Sequence, residues 1–287
     1  MKYNLSNKKT IETLLREAGF TFKKSLGQNF LTDPSVCPRM AESAADKNTG
    51  VLEIGPGIGV LTAELAQVAK RVVAIELDER LRPVLAKTLE DFSNASVIFG
   101  DAMKLDLKKI IEENFSDCEK VTVCANLPYY ITSPIIMMLL ESKLPIDSIT
   151  VMVQKEAAER LCAQIPGRDV GAVTLSAAYF ARATILFGVG RGSFTPMPNV
   201  DSAVIKLEIR KEPPVFLKSE KAFFSLVRAA FTHRRKTFVN SVSAQGICGK
   251  VKIEQALVEV GVPSTVRAEE LSIEQFAQLS NLIFESN

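Results

Sequence analysis

Asn126-Leu127-Pro128-Tyr129 places an amide, a backbone carbonyl and an aromatic ring directly after the apolar run Val121-Thr122-Val123-Cys124-Ala125. A short apolar run bounded by a turn signal reads as a buried strand. Open α/β sheets present their ligands at the carboxyl ends of such strands. The side-chain oxygen of Asn126 can accept a proton from an amino group. The carbonyl of Leu127 can accept a second, because Pro128 turns the chain out of a regular ladder. Tyr129 or Tyr130 can then stack on a planar base, a contact worth roughly 1–3 kcal/mol. Together these groups suit gripping a base by its exocyclic amine. The same residues also suit a plain strand-to-helix turn, with proline as punctuation and tyrosine as core.

A second constellation, Glu53-Ile54-Gly55-Pro56-Gly57-Ile58-Gly59, follows an earlier apolar strand and precedes a helical stretch. Glycines there let backbone approach a ligand closely. Glu76 ends the next strand and can accept hydrogen bonds from ribose hydroxyls. The spacing is GxGxG. Val60 holds the position where a dinucleotide fingerprint puts its last glycine, and the following helix lacks a lysine for a triphosphate. A loop suited to a ligand without phosphates points to S-adenosylmethionine. Asp101, in Phe99-Gly100-Asp101-Ala102, is placed to accept from that cofactor's adenine amino group, and equally to close a turn or cap a helix.

The single histidine, His233, lies in the cluster His233-Arg234-Arg235-Lys236. A hydrolase triad or a multi-histidine metal site would need that imidazole at its centre, and nothing around it supports either. Five scattered cysteines without CxxC spacing suggest neither zinc nor a disulfide framework. No metal is expected. No apolar run reaches the roughly 18–20 residues of a membrane span. MKYNLSNKK leads into a charged amphipathic stretch rather than a signal segment. A cytoplasmic, soluble protein is expected. Net charge is +2 but unevenly spread: +4 over residues 1–30, −5 over 31–187 and +3 over 188–287. Basic ends around an acidic body are compatible with gripping a polyanion.

The elements that must position these groups alternate between strand and helix from about Thr49, the pattern of an α/β fold with a parallel sheet. Strands are expected at 51–54, 71–75, 97–99, 121–125 and 149–153. Ala183 to Phe187 and Ala203 to Ile209 are expected at the sheet's edge. Helices are expected at 8–18, 61–69, 81–92 and 154–163, and KKSLGQNFLTDP as an ordered loop. Glu212-Pro213-Pro214 reads as a linker. Helices at 219–231, 235–242, 253–260 and 273–284 form a small C-terminal domain.

Taken in order, SLGQNFLTD, VLEIGPGIGVLT, VVAIELD, GDAM, ANLPYYITSPI, VMVQKEAAERL and SFTPMPNVDSAVIKL span residues 25 to 207, and AAFTHRRKTFVN follows. This set resembles the ribosomal RNA adenine N6-dimethyltransferase family, in particular its bacterial branch that dimethylates two adjacent adenosines near the 3′ end of 16S rRNA. Many adenine-N6 methyltransferases begin the base-gripping motif with Asp; this family, like this chain, has Asn. The resemblance implies a Rossmann-like class I methyltransferase domain over 1–212, with a basic arm over 1–30. It also implies a helical domain over 213–287 that contacts RNA or the ribosome. Asn29, Leu31, Gly55, Gly57, Glu76, Asp101 and Asn126 would hold S-adenosylmethionine. Asn126, Leu127, Pro128 and Tyr129 would hold the target adenine, and Phe194 would close its other face. Lys23, Lys24, Arg234, Arg235 and Lys236 are expected on RNA phosphates. The partner would be 16S rRNA in a small subunit or its precursor, and the enzyme a monomer. Three rivals remain: a 23S rRNA methyltransferase of the macrolide-resistance type, a non-catalytic assembly factor on the same fold, and an NAD-dependent oxidoreductase. The VDSAVIKL strand and the C-terminal domain speak against the first, the intact glycine loop and Asn126 against the second, and Val60 against the third.

Overall fold

The computed structural model describes residues 3, 5, 7–17, 19 and 30–284. It opens with α1 (Lys8–Glu17), β1 (Phe30–Leu31), α2 (Val36–Ala44), β2 (Thr49–Ile54) and α3 (Val60–Val68). There follow β3 (Arg71–Glu76), α4 (Arg82–Thr88), β4 (Ala95–Phe99), α5 (Leu107–Asn114), β5 (Lys120–Asn126) and α6 (Tyr129–Glu141). The middle of the chain forms β6 (Ser148–Gln154), α7 (Lys155–Leu161), α8 (Ala172–Phe180), β7 (Ala181–Val189), β8 (Phe194–Thr195) and β9 (Ser202–Ile209). The last elements are α9 (Glu220–Phe231), α10 (Phe238–Ala244), α11 (Lys250–Val260) and α12 (Ile273–Ile283).

Seven strands make one sheet in the order β4-β3-β2-β5-β6-β9-β7. The first five strands in this order are mutually parallel, and β9 runs antiparallel to β6. Helices on both faces explain why β2 is buried at all six positions and reads as an unbroken apolar run. Strand order reverses between β2 and β5, the crevice where doubly wound sheets bind ligands. Aligned registers bring the carboxyl ends together there: Ile54 lies beside Ala125, Glu76 beside Phe99 and Asn126 beside Met152. On α1, Ile11, Leu14 and Leu15 follow helical spacing and pack with Ile58, Leu81 and Leu85.

β9 and the helices α2 and α8 depart from the sequence expectations. β9 is interior, between β6 and β7, so of the two strands expected at the edge only β7 is there; the opposite edge is β4. The alternating Lys206 and Glu208 of β9 suggested a half-exposed strand, but the Lys206 ammonium donates to the Ser43 carbonyl at 2.9 Å, so its stem can lie along apolar surface. α2 sits where Pro38 reads as a breaker, yet in a helix's first turn a missing N–H costs nothing. α8, AVTLSAAYF, has too few polar residues to show a period.

The chain divides into two compact units, one of Met1–Ala158 and Thr184–Ile209, the other of Glu159–Ala183 and Arg210–Asn287. The second unit therefore takes in residues 159–183, which the sequence boundary at 212/213 assigns to the first. Its core explains why: Leu175 and Tyr179 of α8 are buried with Phe223 and Phe224 of α9. Tyr179 meets Phe224 edge-on at 5.4 Å, and its hydroxyl donates to Glu220 Oε1 at 3.1 Å. Lys23, Lys24 and Asn29, with most of the basic arm's second half, lie outside the described residues.

Candidate active site

In the first unit, the carboxyl ends of β2, β3, β4 and β5 surround a cavity of about 170 Å³. Its glycine loop turns through left-handed backbone at Gly55, Gly57 and Gly59, with φ of 73°, 60° and 89°. Such values are costly for any side-chain-bearing residue. At Gly55 the conformation is the constraint, since an added Cβ would lie 3.7 Å from Leu127 Cδ2. At Gly59 space is short as well: a Cβ would come within 3.0 Å of Thr88 Oγ1.

Glu76 holds this loop against the end of β3. Its Oε2 accepts from the Gly57 N–H at 3.1 Å and its Oε1 from the Asp78 N–H at 2.8 Å. Burial raises its carboxyl above the usual range, and those backbone bonds pull the other way. Each oxygen retains a lone pair for a further donor. Asp101 sits one strand over. Its Oδ1 accepts from the Met103 N–H at 3.0 Å, the turn-closing role weighed above, and its Oδ2 faces the exposed Lys104 ammonium at 3.5 Å.

Across the cavity, β5 ends at Asn126, and Pro128 starts α6 with φ −55° and ψ 135°. Thr132 Oγ1 donates to the Pro128 carbonyl at 3.0 Å and closes the first turn. The Tyr129 hydroxyl lies 2.7 Å from Ser202 Oγ, while Tyr130 is 60 % exposed at the rim. The roof comes from far apart in the chain. β1 and β8 pair antiparallel, with Leu31 opposite Phe194, and both side chains are buried and line the cavity. Thr32 donates its N–H to the Ser193 carbonyl at 2.8 Å, and Ser193 Oγ donates to Asp33 Oδ2 at 3.1 Å.

The structure thus brings Leu31, Gly55, Gly57, Glu76, Asp101, Asn126, Leu127, Pro128, Tyr129 and Phe194 to one cavity. Arg234, Arg235 and Lys236 are exposed between α9 and α10 of the second unit, where Arg234 donates to the Arg168 carbonyl at 3.0 Å. Sequence reasoning gave no role to Glu53, which is 1 % exposed and lines the same cavity. A carboxyl inside an otherwise apolar strand was the available signal. Burial pushes its pKa up to about 8, and the nearby Glu76 charge adds to the rise. Thr62 opposes that rise, yet neither Thr62 Oγ1 nor Glu53 Oε2 meets hydrogen-bond geometry, so burial prevails.

Among the described residues, the lining includes Glu53, Glu76, Asp78 and Asp101 and no Lys, Arg or His. Glu53 keeps its proton, and Asp78 and Asp101 are neighboured by Arg80 and Lys104 outside the lining, so the wall is rich in hydrogen-bond acceptors with no cation to hold a phosphate, which suits a ligand bearing hydroxyls and amines.

Comparison with known proteins agrees with this geometry. The chain is 47% identical over 274 residues to Ribosomal RNA small subunit methyltransferase A of Bacillus pumilus, covering 94% of each chain. Among solved structures, a dimethyladenosine transferase from Plasmodium falciparum is 27% identical with a TM-score of 0.70, over 87% of this chain and 95% of that one. The 23S rRNA methyltransferase ErmE is 28% identical with a TM-score of 0.66, over 90% and 100%. The family described as ribosomal RNA adenine dimethylase matches residues 19–285, nearly the whole chain and every described wall of the cavity, so the chain belongs to that family.

Proposed function

We propose that the protein transfers methyl groups from S-adenosylmethionine to N6 of two adjacent adenosines in the 3′-terminal loop of 16S rRNA. It does so in the cytoplasm, as a monomer acting on a small subunit or its precursor. The observation that carries this reading is the cavity lined by carboxyls and no cation, with Asn126 and Tyr129 on one side and Phe194 in its roof. The donor set fits the cofactor. In this reading Glu76 takes the ribose hydroxyls and Asp101 the adenine amine, Gly55 and Gly57 let backbone approach, and Leu31 and Asn29 are assigned to the same cofactor. Bound there, S-adenosylmethionine supplies an electrophilic methyl group.

Adenine N6 is a poor nucleophile because its lone pair is delocalised into the ring. Accepting its two protons on the Asn126 side-chain oxygen and the Leu127 carbonyl favours a pyramidal amine with the lone pair aimed at the methyl. The departing proton becomes acidic only as the new bond forms, so no strong base is required, consistent with a chain whose one histidine is His233. Tyr129 and Phe194 sandwich the base, and Pro128 sets the turn. Rate enhancement then comes from orientation and preorganised acceptors. A target in a loop also leaves its stack at lower cost than one in a duplex. Lys23, Lys24, Arg234, Arg235 and Lys236 hold phosphates, and the helical unit contacts the ribosome.

The test is transfer of labelled methyl to unmethylated 30S subunits and, separately, to 23S RNA, with digestion to identify the product. Dimethyladenosine in 16S rRNA alone supports the proposal. Product in 23S RNA alone overturns it in favour of the ErmE-like reaction. Cofactor binding without product in either favours a binding role.

A further inference from the structure

The strand Val-Asp-Ser-Ala-Val-Ile-Lys-Leu stood out in the sequence, yet the reaction gives it no task. Its first strand residue, Ser202, is 1 % exposed and pairs in register with Gln154 at the end of β6. From there its hydroxyl reaches the Tyr129 hydroxyl at 2.7 Å, linking residues 73 positions apart in sequence. The backbone beside Ser202 is pinned: the Asp201 carbonyl accepts from the Lys155 N–H at 3.0 Å, and Asp201 Oδ1 accepts from the Arg191 N–H at 2.9 Å. Tyr129 is held at its other end by the first turn of α6. The phenolic oxygen lies on the axis of the second side-chain torsion, so the Ser202 contact fixes the first torsion and with it where the ring sits at the cavity wall.

We infer that Ser202 is a positioning residue, whose hydroxyl holds the Tyr129 ring at the place from which it stacks on the target base. This rests on the base-stacking role proposed for Tyr129. The bond couples the start of β9 to the base-gripping turn after β5. It also makes the phenol hydroxyl matter for geometry rather than for proton transfer. Phe at position 129 would keep the stacking face but lose the tether.

Ser202→Ala, Tyr129→Phe and the double variant test this in methyl transfer to unmethylated 30S subunits. Substrate RNA carrying 2-aminopurine at the target position reports stacking by its quenching. Each single variant is expected to lose about tenfold in kcat, the size of one net hydrogen bond. KM for the cofactor should stay unchanged and 2-aminopurine quenching should weaken. The double variant should lose no more than either single one, because all three remove the same bond. Tyr129→Phe alters the half-buried partner and so serves if Ser202→Ala melts early. Additive losses, or single variants within twofold of wild type with normal quenching, overturn the role of Ser202 while leaving the proposed function standing. A wild-type protein that transfers no methyl to 30S subunits overturns the function itself, and this inference with it.

Discussion

At the scale of single residues, the cavity is a contrast between groups that accept hydrogen bonds and a group that must hold its proton. Asn126→Ala removes one of the two acceptors that the proposed mechanism aims at the reacting amine. It is expected to lower turnover by about 100-fold or more while cofactor affinity, measured by calorimetry, stays within a few-fold of wild type. Glu53 is the opposite case. Its pKa is about 8 in the folded protein against an ordinary 4.5, so the native state binds the extra proton between those values. Stability from this group is therefore highest below pH 4.5 and is lost as pH rises toward 8, at up to about 1.4 kcal/mol per pH unit. Glu53→Gln removes that dependence. Denaturant melts at pH 5, 6.5 and 8 should show the variant gaining on wild type with pH; parallel curves would mean that Glu53 is ionised throughout. Asn126, Glu76 and Asp101 were legible because each stands at the end of an apolar run. Ser202 was not, since its partner Tyr129 is close only after β5, β6 and β9 have assembled.

At the scale of elements, the glycine loop depends on backbone freedom in one place and on space in another. Gly59→Ala puts a side chain at φ 89° and within 3.0 Å of Thr88 Oγ1 and 3.2 Å of Leu89 Cδ2. It should cost about 1–3 kcal/mol from the strained backbone alone. Gly100→Ala first meets the Leu105 side chain, at 3.0 Å, on backbone that is not left-handed, and should cost less. Equal losses in urea melts would argue against a conformational requirement at Gly59. The parallel strands were readable because burial on both faces leaves continuous apolar runs. β1 and β8 were not, since strands of two residues carry no period. α2 and α8 were hidden by a proline and by a lack of polar contrast.

For the whole molecule, the segregation of charge gives a measurable expectation. Reversing Arg234, Arg235 and Lys236 together should weaken RNA binding and reduce the slope of log K against log salt by about 2–3. Filter binding at several salt concentrations reads this directly, and an unchanged slope would mark the cluster as merely solvated. The linker at Glu212-Pro213-Pro214 announced a second unit. The membership of residues 159–183 was invisible because it depends on which aromatic partners α8 meets, and Phe223 and Phe224 lie more than forty positions later.

The β1–β8 roof also sets an order of events during synthesis. Thr32 finds its partner Ser193 only 161 residues later, and β9, which inserts beside β6, follows later still. A nascent chain that has already emerged through β6 has the glycine loop and the turn at Asn126 to Tyr129 but no roof over them. Completion of the pocket waits for the last strands to emerge, so a chain cut short before Phe194 presents an open cleft in place of a closed site.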